Sequence, residues 1–281
     1  MALARHAESR KRQSLGEGME TNPLFYQSVV ALNRERHRAL RLEESDTRFG
    51  FCRDTHVIPA VVDEFAAALA HLPIVFAPSN PLPTTVFLVG VRPQRNLFVD
   101  EQGRWTGGYV PAFVRRYPFM RGDINGSAPV TCVDERSSLL SATAGDRLFD
   151  DQGRESPLLA RYVDLVDKYY QSAARTQAFL QVVHELQLLR NVTIETTAGA
   201  GASSVIHGFL TVDEARLDAL PAEQLLRLRD GGFLAQIYAH LFSLRAVEQL
   251  RRKVPGEAPG DAPAEASGLA QAREQHEDVP G

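Results

Sequence analysis

His184 and Glu185 stand side by side in a stretch with helical periodicity, the pairing in which two histidines four residues apart hold a zinc ion and the glutamate activates its water. The place of the second histidine is taken by Leu188, so the zinc spacing fails. The small-residue loop Gly199-Ala-Gly201-Ala-Ser-Ser204 lacks both the third glycine of a dinucleotide loop and the Gly-Lys-Ser/Thr ending of a P-loop. It also falls between two strand candidates, with no helix behind it to receive a phosphate. No Gly-x-Ser-x-Gly elbow occurs. His240 lies on the apolar face of a C-terminal helix, a position for a hydrogen-bonded core histidine or for an acid, base or ligand. His207 precedes the short strand GFLTVDE, whose Asp213 and Glu214 read as a solvated strand end.

Cys52 and Cys132 are far apart, each inside a strand-like run, and form no Cys-x-x-Cys pair. They read as buried, reduced thiols. The acid clusters of LFVDEQGRW (97–105) and LFDDQGRES (148–156) lack the alternating ligand spacing of a calcium loop and read as glycine-containing turns at strand ends. No metal and no cofactor is expected.

The segment Trp105 to Phe119, WTGGYVPAFVRRYPF, carries the most information. Gly107-Gly108 frees the backbone, Pro111 suits a helix start, and residues 112–117 make about two turns before Pro118 stops them. Arg115 and Arg116 point to different sides of such a helix. One is expected to turn inward to a carboxylate such as Asp100 or Asp134, leaving the other exposed. Alongside that anchoring role, Trp105, Tyr109, Arg115, Arg116 and Tyr117 are candidates for a pocket gripping a carboxylate or a peptide terminus.

The elements that must position these groups are legible in the periodicity. FYQSVVALN and HRALRL read as short strands, and Pro59 to His71 as a helix with Val61, Val62, Phe65, Ala68 and Leu69 on one face. PIVFAP, TTVFLVGVR and NLFVDE read as adjacent antiparallel strands, and Asn125-Gly126 as a tight turn before the strand APVTCVDE. Ser156-Pro157 opens a long helix whose apolar period continues to Leu189, a length that predicts a kink. A hairpin from VTIETT to VIHGFLTVD follows, then a helical pair starting near Pro221 and interrupted at Asp230-Gly231-Gly232. The fold class is α+β: a central, mostly antiparallel sheet packed by the long helix and the C-terminal helical pair.

The chain is 44% apolar and 23% charged, an ordinary globular composition that needs no disulfide or metal staple. Its net charge of −4 is concentrated at the ends: residues 1–22 are basic and 254–281 acidic and rich in Pro, Ala and Gly. These read as a disordered leader and a disordered tail around a domain at 23–253. The nearly neutral middle gives no footprint for nucleic acid. The leader has no apolar run of the kind a secretory signal needs, and Met19 offers a second possible start. No stretch is apolar for the roughly 18 residues of a membrane span. These features predict a cytoplasmic location.

The chain resembles the SapC family of bacterial proteins between Phe25 and Arg252. The resemblance rests on NLFVD, Gly-x-Trp at 103–105, Pro-Ala, Arg-Arg and Tyr-Pro-Phe. It also rests on His37, PIVF at 73–76, LFDDQG, Thr176, GFLTVDEARLDAL, and IYAHLFSL with His240 and Ser243. It implies a surface-layer association by name and a peptide-transport permease by label, the latter at odds with the missing membrane span. It supplies no catalytic residues. The expected function is that of an accessory protein that binds a peptide or protein partner through Tyr109, Arg115, Arg116 and Tyr117. An enzyme without a recognisable motif, using His240 as acid or base, is the alternative; a surface-layer component exported without a signal is a third reading.

Overall fold

The computed structural model describes residues 23–122, 129–198 and 202–254. The expected leader, most of the tail and the Asn125-Gly126 turn lie outside them, as do the side chain of His207 and most of the loop 199–204. In chain order the first half contains β1 (Val29–Ala31), β2 (Arg41–Leu42), β3 (Val57–Pro59), α1 (Phe65–Ala68), β4 (Ile74–Ala77), β5 (Thr84–Leu88), α2 (Ala112–Arg115), β6 (Phe119–Gly122) and β7 (Val130–Asp134). The second half contains β8 (Leu140–Ser141), β9 (Asp146–Arg147), α3 (Pro157–Glu185), β10 (Leu189–Ala198), β11 (Ala202–Val212), α4 (Glu214–Asp218), α5 (Ala222–Asp230), α6 (Phe233–Ser243) and α7 (Ala246–Arg252). The class is α+β, with every paired strand antiparallel among the described residues.

Two compact units share the chain, each built from separated segments. One comprises the N-terminal part up to Arg53, residues 99–106 and residues 110–175. It holds the sheets β1-β7-β6 and β8-β2-β9. Its core packs Tyr26, Leu42, Tyr117, Phe119, Leu148 and Leu159 with their neighbours. The other comprises residues 54–98, 107–109 and 176 onward, and holds the sheet β10-β11-β4-β5-β3. There Phe179 of α3 packs against Phe65, Phe76 and Phe233 with ring centroids 6.2, 6.2 and 5.8 Å away.

Several elements differ from the sequence reading for identifiable reasons. The helix expected from Pro59 shrinks to the single turn of α1, because Pro59 lies opposite Val86 in the sheet and the Ala60 amide donates to the Thr85 carbonyl. The backbone leaves the ladder only at a 3-10 turn over Val62–Glu64. The long helix runs without a break from Pro157 and stops at Glu185. Gln187, a non-glycine residue at φ 54°, turns the chain out of it. Ser156 opens it as expected, accepting the Leu159 amide at 3.2 Å. Asp213 is an N-cap of α4, not a free strand end: its side chain accepts from the Arg216 amide.

NLFVDE is a turn, not a strand. Asp100 Oδ1 accepts the amides of Gln102 and Arg104, the Asp100 amide donates to the Arg104 carbonyl, and Gly103 adopts φ 80°. A lone bridge between Val99 and Trp105 closes the loop. LFDDQGRES repeats the arrangement bond for bond: Asp150 Oδ1 accepts the Gln152 and Arg154 amides, Gly153 adopts φ 75°, and Phe149 bridges Glu155. Both are three-residue hairpins with a glycine bulge. The amide of Arg154 holds the Asp150 carboxyl below its usual range.

The two glycines differ in surroundings. A Cβ on Gly103 would stand 2.6 Å from the Thr47 carbonyl oxygen, whereas one on Gly153 would meet nothing closer than 4.0 Å. Gly153→Ala should therefore cost about 1 kcal/mol, the left-handed strain alone. Gly103→Ala should cost about 2 kcal/mol more, because backbone must move. Urea unfolding of the two variants checks the difference, and equal losses would refute it.

Candidate functional site

The sequence-expected residues are placed as follows. Arg116 and Tyr117 are buried, while Trp105, Tyr109 and Arg115 are half-buried. Tyr109 belongs to the second unit and the other four to the first. The Tyr109 hydroxyl donates to Glu64 Oε1 at 2.7 Å, and Arg115 Nε donates to the Val110 carbonyl at 2.9 Å. Trp105 stacks edge-on to Phe49.

The inward arginine is Arg116, and its partner is not a carboxylate. Its guanidinium lies 4.5 Å from the ring centre of Phe113, 4.6 Å from Tyr169, 5.5 Å from Tyr26 and 5.6 Å from Tyr170. Nη1 donates to the Phe119 carbonyl at 3.4 Å, and Nε makes no hydrogen bond. The charge is thus compensated by the negative faces of aromatic rings. Burial pushes the Tyr26 phenol well above its ordinary range, against the opposing pull of Arg116. Asp134, the expected partner, is fully buried and taken by the amides of Gln27, Ser28 and Arg136 and by the Tyr117 hydroxyl. Burial raises Tyr117 to about 12. Asp100 is occupied by its own turn.

His240 is fully buried in the second unit. Nδ1 lies 2.8 Å from the Ile74 carbonyl, an acceptor only, so this nitrogen carries the proton. Nε2 accepts the Val212 amide at 3.1 Å and stands 3.0 Å from the Thr211 hydroxyl. Both nitrogens are used, and burial lowers the imidazole pKa to about 4. His37, in the first unit, is likewise committed: Nδ1 accepts the Asn33 amide, which makes Nε2 the donor to Glu135 at 3.0 Å. Neither Cys52 nor Cys132 forms a disulfide; both are buried, and burial raises both thiols, Cys52 to about 12.

What no single motif announces is an open cleft of about 700 Å³ in the second unit. Val183 near the end of α3, Leu189 of β10, Leu210 of β11 and Pro83 give it an apolar lining. The loop after β4 adds Ser79 and the rings of Pro78 and Pro81, which bring surface without amide donors. Polar groups converge from the other segments: His184, Gln187, Arg190 and Arg216. Arg216 Nη1 donates to the Gln187 carbonyl at 2.8 Å. A mostly apolar concavity with a few polar groups is the usual form of a ligand site. His184, met in the sequence as a failed zinc motif, is exposed here; the other lining residues carry no spacing signal that would have found them.

Fold and site together define an α+β protein with an open, apolar and cationic cleft. The family model for SapC matches residues 32–250, and the chain belongs to the SapC family. It has no match among curated proteins or solved structures. Among the described residues no helix is long and apolar enough to cross a membrane.

Two outcomes follow for the buried polar groups. Arg116→Ala should destabilise the protein by about 2 to 4 kcal/mol in urea unfolding, from the cavity and the lost ring contacts. Arg116→Lys should cost more than Arg116→Met, because an ammonium is harder to desolvate and has no plane to lay on the rings; the reverse order would mean that charge alone matters. For His240, the folded-state pKa of about 4 lies below the ordinary 6.5, so the unfolded chain takes up the proton first. Its contribution to stability is complete above pH 6.5 and falls by about 3 kcal/mol as the pH drops towards 4. His240→Gln should lose that part of the pH dependence when unfolding is compared between pH 7 and 5.

Proposed function

We propose that this SapC-family protein is a non-catalytic cytoplasmic accessory protein that binds a peptide or protein partner in the cleft of the second unit. The observation that carries the reading is the cleft itself, where proline and leucine side chains share the lining with arginine and histidine. Its support includes the state of the groups that chemistry would otherwise use. His240, the candidate acid or base, has both nitrogens bound to the surrounding strands, and the two thiols are sealed and protonated. Buried thiols outside any disulfide suit a reducing compartment.

The Trp105–Tyr117 segment has a second, smaller part in this proposal. Arg115 and Trp105 offer half-exposed surface to a partner, while Arg116 and Tyr117 act from the core by holding the segment in place.

The test is capture of partners by the immobilised full chain. Ser79 is exposed, so Ser79→Trp should obstruct the cleft with little change in stability, within about 0.5 kcal/mol. It should reduce captured partners at least tenfold, and Arg115→Ala should reduce them less. A Ser79→Trp variant that captures the same set as the unmodified chain would refute the cleft reading. Recovery of the protein outside the cytoplasm on cell fractionation would favour the surface-layer reading instead.

A further inference from the structure

The charged lining of the cleft is of one sign. Arg190 and Arg216 line it together with His184, and among the described residues no carboxylate lines it. The two arginines are not equivalent. Arg216 is engaged, its Nη1 on the Gln187 carbonyl at 2.8 Å and its Nε 3.5 Å from Asp213 Oδ2. Arg190 is exposed and has no ion pair or side-chain hydrogen bond among the described residues. A guanidinium presents paired donors in a fixed plane that matches a carboxylate, so Arg190 is a cation waiting for an anion at the edge of an apolar surface.

A second feature marks the same place. Gln187 holds φ 54°, a conformation that costs a non-glycine residue free energy, and the Arg216 side chain grips its carbonyl. The turn is fixed from outside, which keeps His184 and Arg190 on either side of it in place. In the same lining, Pro78, Pro81 and Pro83 offer rings without backbone donors, a surface suited to an apolar side chain. The volume of about 700 Å³ is that of a site for a small ligand or a short piece of chain, not for a folded surface.

We infer that the cleft selects an extended peptide that sets a carboxylate on Arg190 and an adjacent apolar side chain against the proline surface. This rests on the peptide-binding reading above and adds the chemical class of the ligand. The carboxylate comes from a chain terminus or from an aspartate or glutamate side chain, and the two sources are separable.

The experiment measures anisotropy of short fluorescent synthetic peptides with the full chain. One set carries Asp or Glu beside Leu or Phe with an amidated terminus, a second replaces the acid by Asn or Gln, and a third keeps the neutral sequence with a free terminal carboxylate. Acid-bearing peptides should bind roughly tenfold to a hundredfold tighter than the neutral amidated set. Whichever of the first and third sets binds names the source. Arg190→Glu should abolish the preference, and a matching Lys-bearing peptide should gain affinity for that variant. Ser79→Trp should weaken all binding. Equal affinity for acidic and neutral peptides, still lost in Ser79→Trp, would overturn the carboxylate assignment and leave the peptide reading standing. Binding to none of the peptides, or binding unchanged by Ser79→Trp, would overturn both. Phosphatidylglycerol vesicles run in parallel: Arg190-dependent vesicle binding without peptide binding would assign the cleft to an anionic membrane surface and overturn the inference.

Discussion

A single neutral imidazole holds together two strands that scarcely pair. β4 and β11 meet in register at one position, Leu210 opposite Phe76, which is too little ladder to fix their spacing. His240 supplies the missing bonds from α6, donating to Ile74 on one strand and accepting from Val212 on the other. Ser243, one turn further on, accepts the Ile74 amide at 2.9 Å and donates to the His240 carbonyl. Each buried polar group at the junction therefore finds a partner, as burial demands. The proline loop of the cleft leaves from the end of β4 and Leu210 lies on β11, so the geometry of the cleft depends on this junction. A histidine suits the place because its two nitrogens are a donor and an acceptor when neutral, and burial keeps it neutral.

The first unit meets the same demand with a different solution. Arg116 cannot shed its proton, so burial leaves a full charge that must be compensated. Four aromatic rings surround it, from Tyr26, Phe113, Tyr169 and Tyr170. The nearest buried carboxylate in the sequence, Asp134, is spent on backbone amides and on Tyr117, tying residues 27 and 28 to β7. Anion and cation in this core are thus satisfied separately, one by hydrogen bonds and the other by ring faces. Of the aromatic residues in 105–119 only Phe113 contributes a ring to that arginine; the other three come from the start of the chain and from α3.

Local signals were read well where local physics decides. Ser156-Pro157 opens α3, Asp230-Gly231-Gly232 separates α5 from α6, and TTVFLVGVR and PIVFAP pair as β5 and β4. The reading failed where a distant partner decides. Nothing in VIPAVVDEF reveals that the Ala60 amide is claimed by Thr85, and the apolar period there imitates a helix longer than one turn. NLFVDE has strand composition, but Asp100 folds back on the following amides and the glycine at 103 completes the hairpin. The burial of Arg116 was half legible: two adjacent arginines on a short helix must diverge, yet a sequence does not say which turns inward or that rings await it.

The cleft was illegible for a related reason. Its lining comes from residues 78–83, 183–191, 210 and 216, segments that look ordinary one at a time and are far apart in the chain. By contrast, the two Asp-x-Gln-Gly-Arg hairpins stand out because their side chains solve folding problems within a few residues of themselves. Glycine at a positive φ, a capping aspartate and an arginine among aromatics are each nearly the sole residue type that fits. Cleft residues face a looser constraint: a proline or leucine surface can be composed in many ways, and an exposed arginine needs only to reach. The segment that carries the family resemblance thus places Arg116 and Tyr117 in the core. Resemblance built on such positions identifies the scaffold and says little of the cleft, where Arg190 stands without an ion pair among the described residues.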